Sequence, residues 1–222
     1  MTRHNVRYTL YLDVWSIHVS RIFGVLAISL AFGAFLAWPL FAWPVRPGWI
    51  GAAVLLLAAV AVRRHWDARR LAAGDDPGAR ERLSWHATAA LGVLSGHMIA
   101  ALMQQVDLHV GRGNTLALDN WTLLGAAVIG WVIVRATRME RDERDREMAA
   151  RGAHVGHATL TALLVVLLLT LGFAPPPVLE RLQPFVLGNL LVVLILLAAL
   201  AKHVTQLVGY WAAARPGDDV DG

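Results

Sequence analysis

His97 is the residue whose type and surroundings most favour chemistry in this chain. It lies in the charge-free run 83–106, and an ionisable side chain within a membrane span is a candidate for transport or proton relay. His86 precedes it by 11 residues, which is ~16 Å of helix and nearly the same helical face. We therefore expect His97 in the bundle interior near the middle of the bilayer, with Ser29 and Asn189 as further polar candidates along a route. The alternative is a structural role: a hydrogen bond from His97 to a neighbouring helix, with Ser29 as partner, and an interhelical bond from Asn189.

Four other histidines are predicted to share one depth at the cytoplasmic edge of the membrane: His18, His86, His157 and His203. Imidazoles at one level could bind a metal ion or haem, or sense pH. Packing at the membrane interface is the competing interpretation. The chain has no Cys, so thiolate ligands and disulfides are excluded. The sequence does not select a cofactor among these choices.

Catalytic motifs are absent from the sequence. There is no GxSxG nucleophile motif, no P-loop and no pair of carboxylates within an apolar run, which argues against an enzyme. The longest external connection, 106–120, contains Asp107, His109, Arg112 and Asp119. It is the best candidate for an external binding site, and an ordinary polar loop is the alternative.

Six apolar runs predict an all-α integral membrane bundle with six transmembrane helices. About 20 helical residues cross the ~30 Å hydrocarbon layer, and interfacial Trp and Arg residues extend the two shorter runs. The predicted spans are residues 22–42, 47–63, 85–105, 119–136, 155–174 and 184–203. We expect a single membrane domain over 1–222, with a cytoplasmic N-terminal segment at 1–20 and a flexible tail at 213–222.

Lys and Arg residues alternate in number between the connections. Their counts from the N-terminal tail onward are 3, 1, 6, 1, 6 and 1, and two more lie in the last helix and tail. Positive charge marks the cytoplasmic side, so both termini are predicted inside. Charged residues make up only 16% of the chain, against ~25% in soluble domains. The net charge of +4 indicates contact with anionic lipid headgroups. It does not indicate nucleic acid, because no basic patch interleaved with aromatic residues lies outside the membrane flanks.

A weak internal repeat relates the odd-numbered helices. Residues 16–26, SIHVSRIFGVL, and 84–94, SWHATAALGVL, share Ser, His, Gly, Val and Leu at the same offsets, and HAT recurs at 157–159. GAAV at 51–54 recurs at 125–128. The pattern predicts three tandem helical hairpins in which matched glycines make matched close contacts. Chance matching within an apolar alphabet is the alternative.

The arginine-rich fourth connection predicts a helical extension into the cytoplasm. Its residues are good helix formers up to Gly152, so the fourth helix is expected to continue to that glycine and turn back there. Glu147 and Arg151 form an acid-before-base pair four residues apart, which supports a helix. Its arginines provide either a solvated face or a contact surface for a cytoplasmic partner or lipid: Arg138, Arg141, Arg144 and Arg146.

The segment 138–157, with its DERD box before an apolar span, resembles the juxtamembrane segment of a group of small bacterial multi-pass inner-membrane proteins. The resemblance implies a bacterial inner membrane and brings no activity or functional residue with it. The lipid bilayer is then the first partner, and a homo-oligomer is a further expectation.

These observations favour a small transporter or channel with His97 on its route. A non-enzymatic regulatory or interaction protein, which uses the arginine-rich cytoplasmic helices, is the second hypothesis. Haem or metal binding at the four histidines of the cytoplasmic edge is the third.

Overall fold

The computed structural model describes residues 3–38, 44–73, 79–104, 114–135 and 143–213, and every regular element within these ranges is a helix. The helices are α1 (Arg3–Leu36), α2 (Pro47–Ala73), α3 (Ala79–Met103), α4 (Thr115–Val134), α5 (Glu143–Phe173), α6 (Pro176–Leu179) and α7 (Pro184–Ala213). All but α6, a single turn of four residues, are long and apolar enough to cross a membrane. The predicted all-helical fold with six membrane-length helices is therefore confirmed, and these helices make the chain a multi-pass membrane protein.

All six membrane-length helices extend beyond their predicted spans, and α1, α2, α5 and α7 do so by ten residues or more at one end. α1 begins at Arg3 rather than near residue 22, because the segment 3–21 contains neither Gly nor Pro to interrupt it. α7 continues past residue 203 to Ala213. α1 ends at Leu36, shortly before Pro39 in the sequence, because proline removes a backbone donor and restricts the residue before it.

The expected continuation of the fourth helix to Gly152 is wrong. α4 ends at Val134, where Arg135 adopts extended backbone angles of φ −61° and ψ 127°. α5 begins at Glu143 and passes through Gly152 without a break. The glycine instead allows close packing, because a Cβ at this position would lie 2.8 Å from the carbonyl oxygen of Lys202 in α7.

α3 is the central helix of the bundle. It packs against α1, α4 and α7, while α2 packs mainly against α4, and α5 packs against α7. The membrane-length window of α3 is 67% buried inside the protein, whereas that of α5 is 6% buried. Neighbouring helices therefore shield α3 from lipid, and α5 lies at the periphery.

Helix directions follow from contacting residues near the two ends of each interface. α1 is parallel to α3 and α2 is parallel to α4, whereas α4 and α7 are antiparallel to α3, and α5 is antiparallel to α7. For α1 and α3 the contacts are Ser29–Gly92 and Ala37–Gln104, and for α2 and α4 they are Arg46–Asp119 and Arg63–Ile133. For α4 and α3 they are His97–Asn120 and His86–Ala127. α7 meets α3 through Ser84–Gln206 and places Leu196 against the core, and α5 meets α7 through Asp145–Tyr210 and Gly156–Ala198. α1, α3 and α5 thus run one way and α2, α4 and α7 the other, as alternating passage through a membrane requires.

The hydrophobic core lies among the first four helices. Its buried members are Leu36, Ala52, Leu55, Ala90, Val93, Leu94, Leu123 and Ala126. Beside it, two glycines bring the backbones of α1 and α3 into contact. A Cβ at Gly33 would lie 2.0 Å from Val93 O, and one at Gly96 would lie 2.0 Å from Leu30 O. Small residues commonly allow such close approach of membrane helices.

The tandem-hairpin arrangement stays a prediction, and one expectation attached to it is wrong. Gly24 and Gly92 match in the sequence repeat, yet a Cβ at Gly92 would lie 2.8 Å from Ser29 Cβ, while nothing in the described structure lies within 4 Å at Gly24. Gly51 and Gly125 also match in the repeat. Gly51 packs closely against side chains of other helices, whereas Gly125, like Gly24, has no described atom within 4 Å of a new Cβ. Matched glycines differ because one member of each pair faces a neighbouring helix and the other faces outward.

Candidate functional site

The imidazole of His97 lies in the interface between α3 and α4. It is fully buried, and its Nδ1 is 2.8 Å from Oδ1 of Asn120. Asn114 caps the start of α4 by accepting a hydrogen bond from the backbone N–H of Ala117, so Asn120 lies in the second turn. The predicted interior position of His97 is confirmed.

One detail of the expectation for His97 is wrong. Its partner is Asn120 rather than Ser29, which packs against Gly92 in the contact between α1 and α3. His97 lies six residues, or ~9 Å, from the end of α3 at Met103, and its place near the middle of the bilayer stays a prediction. The offset of 11 residues from His86 correctly gave the helical face, because both histidines contact α4.

The pair of His97 and Asn120 leaves two polar atoms available. Because Oδ1 of Asn120 accepts the bond, Nδ1 of His97 carries the proton and Nε2 presents a lone pair. Neither His97 Nε2 nor Asn120 Nδ2 has a hydrogen-bond partner among the described residues, although both atoms are buried. Buried polar atoms are nearly always bonded to protein or to ordered water. The interface therefore offers one acceptor and one donor to a small polar species.

An ion pair adjoins this site. Asp119, the residue before Asn120, accepts a hydrogen bond from Arg46 Nη2 at 2.8 Å, and their side chains are 1% and 39% exposed. A Cβ at Gly48 would lie 2.5 Å from Asp119 Oδ1, so the carboxylate sits against the first turn of α2, where the helix dipole favours negative charge. Asp119 therefore joins α2 to α4 and lies in a helix, not in the external loop to which it was assigned. Asp107, His109 and Arg112 lie outside the described residues.

The histidines predicted at the cytoplasmic edge occupy different environments. His86 is buried and its Nε2 donates to Ala127 O at 3.1 Å, on the same side of α3 as His97. His157 is exposed on α5, and His203 faces α3 from α7, with Nδ1 3.4 Å from Ser84 Oγ. The side chain of His18 lies outside the described part of the chain. The described residues contain no group of three or more His, Cys, Asp or Glu side chains arranged to hold a metal ion.

The opposite side of α3 carries a second polar contact. Ser84 Oγ donates to Gln206 Oε1 of α7 at 2.9 Å, close to His203. Asn189, the other predicted polar candidate, lies near the start of α7, and its Nδ2 is buried with no partner within the described ranges. The interhelical bond expected for Asn189 is not among the described contacts.

Of the arginines predicted to contact a partner, Arg144 and Arg146 lie in the described structure and Arg138 and Arg141 lie outside it. Arg144 Nη2 donates to the carbonyl oxygen of Tyr210, and its guanidinium lies 5.7 Å from the centre of that ring. Tyr210 also donates from its hydroxyl to Asp145 Oδ1 at 2.8 Å. Arg144 therefore helps to fasten α5 to α7, while Arg146 is exposed. The predicted pair of Glu147 and Arg151 is confirmed at 2.5 Å.

Sequence reasoning missed the residues that complete these contacts. Asn120 stands at the start of an apolar run and Arg46 is the single arginine of a short connection, so neither stood out. One signal was available: Asp119 and Asn120 are adjacent polar residues at the edge of a predicted span, and polar groups there require partners on other helices.

Comparisons of this chain with protein-family models, with curated proteins and with solved structures found no match in any of the three.

Proposed function

We propose that this protein is a small transporter or channel of the bacterial inner membrane, with the pair of His97 and Asn120 on its route. The observation that carries the proposal is a fully buried imidazole whose Nε2 has no partner among the described residues, beside an equally unpaired amide nitrogen. Ser29 and Asn189, the other sequence candidates, do not contact this pair in the described structure, so the proposal rests on α3 and α4.

The chemistry of the pair suits a proton or a small polar solute. Nε2 of His97 accepts a proton or a hydrogen bond, and the amide of Asn120 donates one. Asp119 is the residue before Asn120 in α4, so a carboxylate adjoins the pair. Arg46 balances that carboxylate at rest, which keeps the site close to neutral overall.

The proposal includes the threading predicted from the arginine counts, with both termini in the cytoplasm and the basic connections beside anionic lipid. Alternating helix directions support it. It also includes tandem hairpins, because α1 lies parallel to α3 and α2 lies parallel to α4, the relation expected of repeats about an axis along the membrane normal. A homo-oligomer in the same membrane is part of the proposal.

Flux measurements on purified protein in liposomes test the proposal. A pH dye trapped inside reports proton movement driven by a potassium diffusion potential, and added solutes are tested by counterflow. His97→Gln keeps a hydrogen-bonding group but removes the titratable nitrogen, so we expect flux to fall about tenfold or more. His154→Gln, at an exposed histidine of α5, is the matched control and should leave flux unchanged.

The second candidate is a regulatory or interaction protein that binds a cytoplasmic partner through arginine-rich helices. Exposed Arg146 near the start of α5 favours it. Two results together would favour this candidate. The wild-type protein would carry neither protons nor any solute tested, and His97→Gln would change only thermal stability. His97 would then have a structural role.

A further inference from the structure

Three hydroxyl side chains lie along one face of α3: Ser84, Thr88 and Ser95. With 3.6 residues per turn they fall within an arc of about 40°, and all three are buried. Ser84 fixes the direction of this face, because its hydroxyl donates to Gln206 of α7. The hydroxyl face therefore points toward α7, away from the side of α3 on which His97 contacts α4.

The hydroxyls of Thr88 and Ser95 do not bond to their own helix. A hydroxyl in a helix can donate to the carbonyl four residues earlier, and Thr122, Thr170 and Thr205 do so at 2.8 Å. Neither Thr88 Oγ1 nor Ser95 Oγ has a hydrogen-bond partner in the described part of the chain, and both residues have no exposed surface. Buried polar groups are usually bonded either to protein or to ordered water, so the two hydroxyls are open to a water partner.

α7 places polar groups at both ends of this face. His203 and Gln206 contact Ser84 at one end. Asn189 lies 14 residues before His203, about four helical turns, and so shares its side of α7. Because α7 is antiparallel to α3, Asn189 lies beyond Ser95 at the other end. Successive polar groups are then separated by roughly 6 to 10 Å along the helices, distances that a few hydrogen-bonded waters bridge.

We propose that this α3–α7 seam, defined by Ser84, Thr88, Ser95, Asn189 and His203, is a hydrated path that conducts protons across the bundle. The inference rests on the proposed transport function, names protons as its substrate and adds the seam to the route, so that flux depends both on this seam and on the pair of His97 and Asn120. Each water or hydroxyl in the path accepts one proton from one neighbour and releases another to the next, so no atom is gained or lost. Ser84, with two polar contacts, forms the end of the path beside His203.

The composition of the seam favours protons over other ions. Its hydroxyl, amide and imidazole groups include no carboxylate and no guanidinium, so a metal ion or an anion that entered would lose its hydration shell without an opposite charge to replace it. A proton needs only the hydrogen-bonded chain.

The test uses full-length protein in liposomes with a trapped pH dye and a potassium diffusion potential. Thr88→Val preserves side-chain shape and removes the hydroxyl, and Ser95→Ala removes the second one. We expect the double variant to lower proton flux about tenfold or more, and Thr88→Ser, which keeps a hydroxyl, to retain it. Thr170→Val is the control, because this threonine is exposed on α5 and bonds to its own backbone.

Thermal unfolding of each variant, followed by tryptophan fluorescence, shows whether the double variant is folded.

A high-resolution map of the wild-type protein supplies a second measurement. Water density beside Thr88 and Ser95 supports the proposal, and a seam without water density overturns it. Unchanged flux in a folded double variant also overturns it; if His97→Gln abolishes flux in the same assay, the transport function still stands. Wild-type liposomes that conduct no protons overturn the proton path, and solute counterflow then tests the proposed function separately.

Discussion

The backbone contact between α1 and α3 predicts a large and position-specific effect of adding one methyl group. At Gly96 an alanine Cβ would lie 2.0 Å from the carbonyl oxygen of Leu30 and 2.9 Å from its carbonyl carbon. The shortest favourable carbon–oxygen approach is ~3.3 Å, so the helices must separate by about 1.3 Å. Both obstructing atoms belong to a helix backbone and cannot rotate away, which makes Gly96→Ala more disruptive than a contact with a flexible side chain.

The size of the effect follows from two opposing terms. Overpacking a dense interior costs ~1–3 kcal/mol, and an immovable backbone obstacle corresponds to the upper end of that range. Alanine is a better helix former than glycine by ~1 kcal/mol. The net loss for Gly96→Ala is then about 2 kcal/mol, and a chain of this size loses about 2–4 °C in Tm for each kcal/mol. We therefore expect Tm to fall by about 4–8 °C.

Matched controls are available within the same fold. At Gly24 and Gly125 nothing in the described residues lies within 4 Å of a new Cβ, so alanine should leave Tm unchanged or raise it slightly. Fluorescence of the nine tryptophans follows unfolding in detergent without a label. If Gly96→Ala and Gly24→Ala shift Tm equally, the reasoning about the α1–α3 contact is refuted. Gly33→Ala adds a link to function, because its Cβ would lie 2.9 Å from the backbone nitrogen of His97 and should lower flux.

Three further predictions concern threading and interhelical bonds. A periplasm-dependent reporter should be active at Gly113 and inactive at Gly78 and at the C-terminus; activity at Gly78 would overturn the predicted orientation. Arg46→Met should destabilise the protein by about 1–2 kcal/mol, less than for a fully buried pair because Arg46 is partly exposed. Adding Asp119→Asn should recover part of that loss, and simple additivity of the two changes would show that the pair is not coupled. Tyr210→Phe, which removes the hydroxyl bond between α7 and α5, should cost about 1 kcal/mol in thermal unfolding; an unchanged Tm would contradict that contact.

The number of membrane-length helices could be predicted because hydrophobic length is a property of each segment alone. The ends of the helices were harder to predict than their number. α1 begins at Arg3, well before its apolar run, because the preceding polar segment contains no Gly or Pro to interrupt the helix. Gly152 was misread for a related reason. A glycine near a helix end and a glycine that allows close packing look identical in sequence, and only the presence of α7 beside it distinguishes them.

Contacts between helices could not be predicted from the same patterns. The repeat suggested Ser29 as partner of His97 because the two residues occupy equivalent offsets. Equivalence in a repeat identifies corresponding positions, not neighbours, and the actual partner Asn120 belongs to another helix. The ion pair of Arg46 and Asp119 joins residues 73 positions apart, and no local periodicity encodes such a distance.

The central position of α3 explains why polar groups are tolerated on two of its sides. A membrane helix exposes unbonded polar atoms to lipid at a high cost, so a helix with histidines on one side and hydroxyls on the other is stable only when other helices cover both. α3 is the least hydrophobic of the six membrane-length helices and also the most buried. Gly33 and Gly96 close its third side by bringing α1 into backbone contact. The glycine contact, the histidine site and the hydroxyl seam therefore depend on one another. A methyl group added at Gly33 would push α1 away from α3 and expose polar atoms on α3. Gly33→Ala should therefore affect both stability and flux.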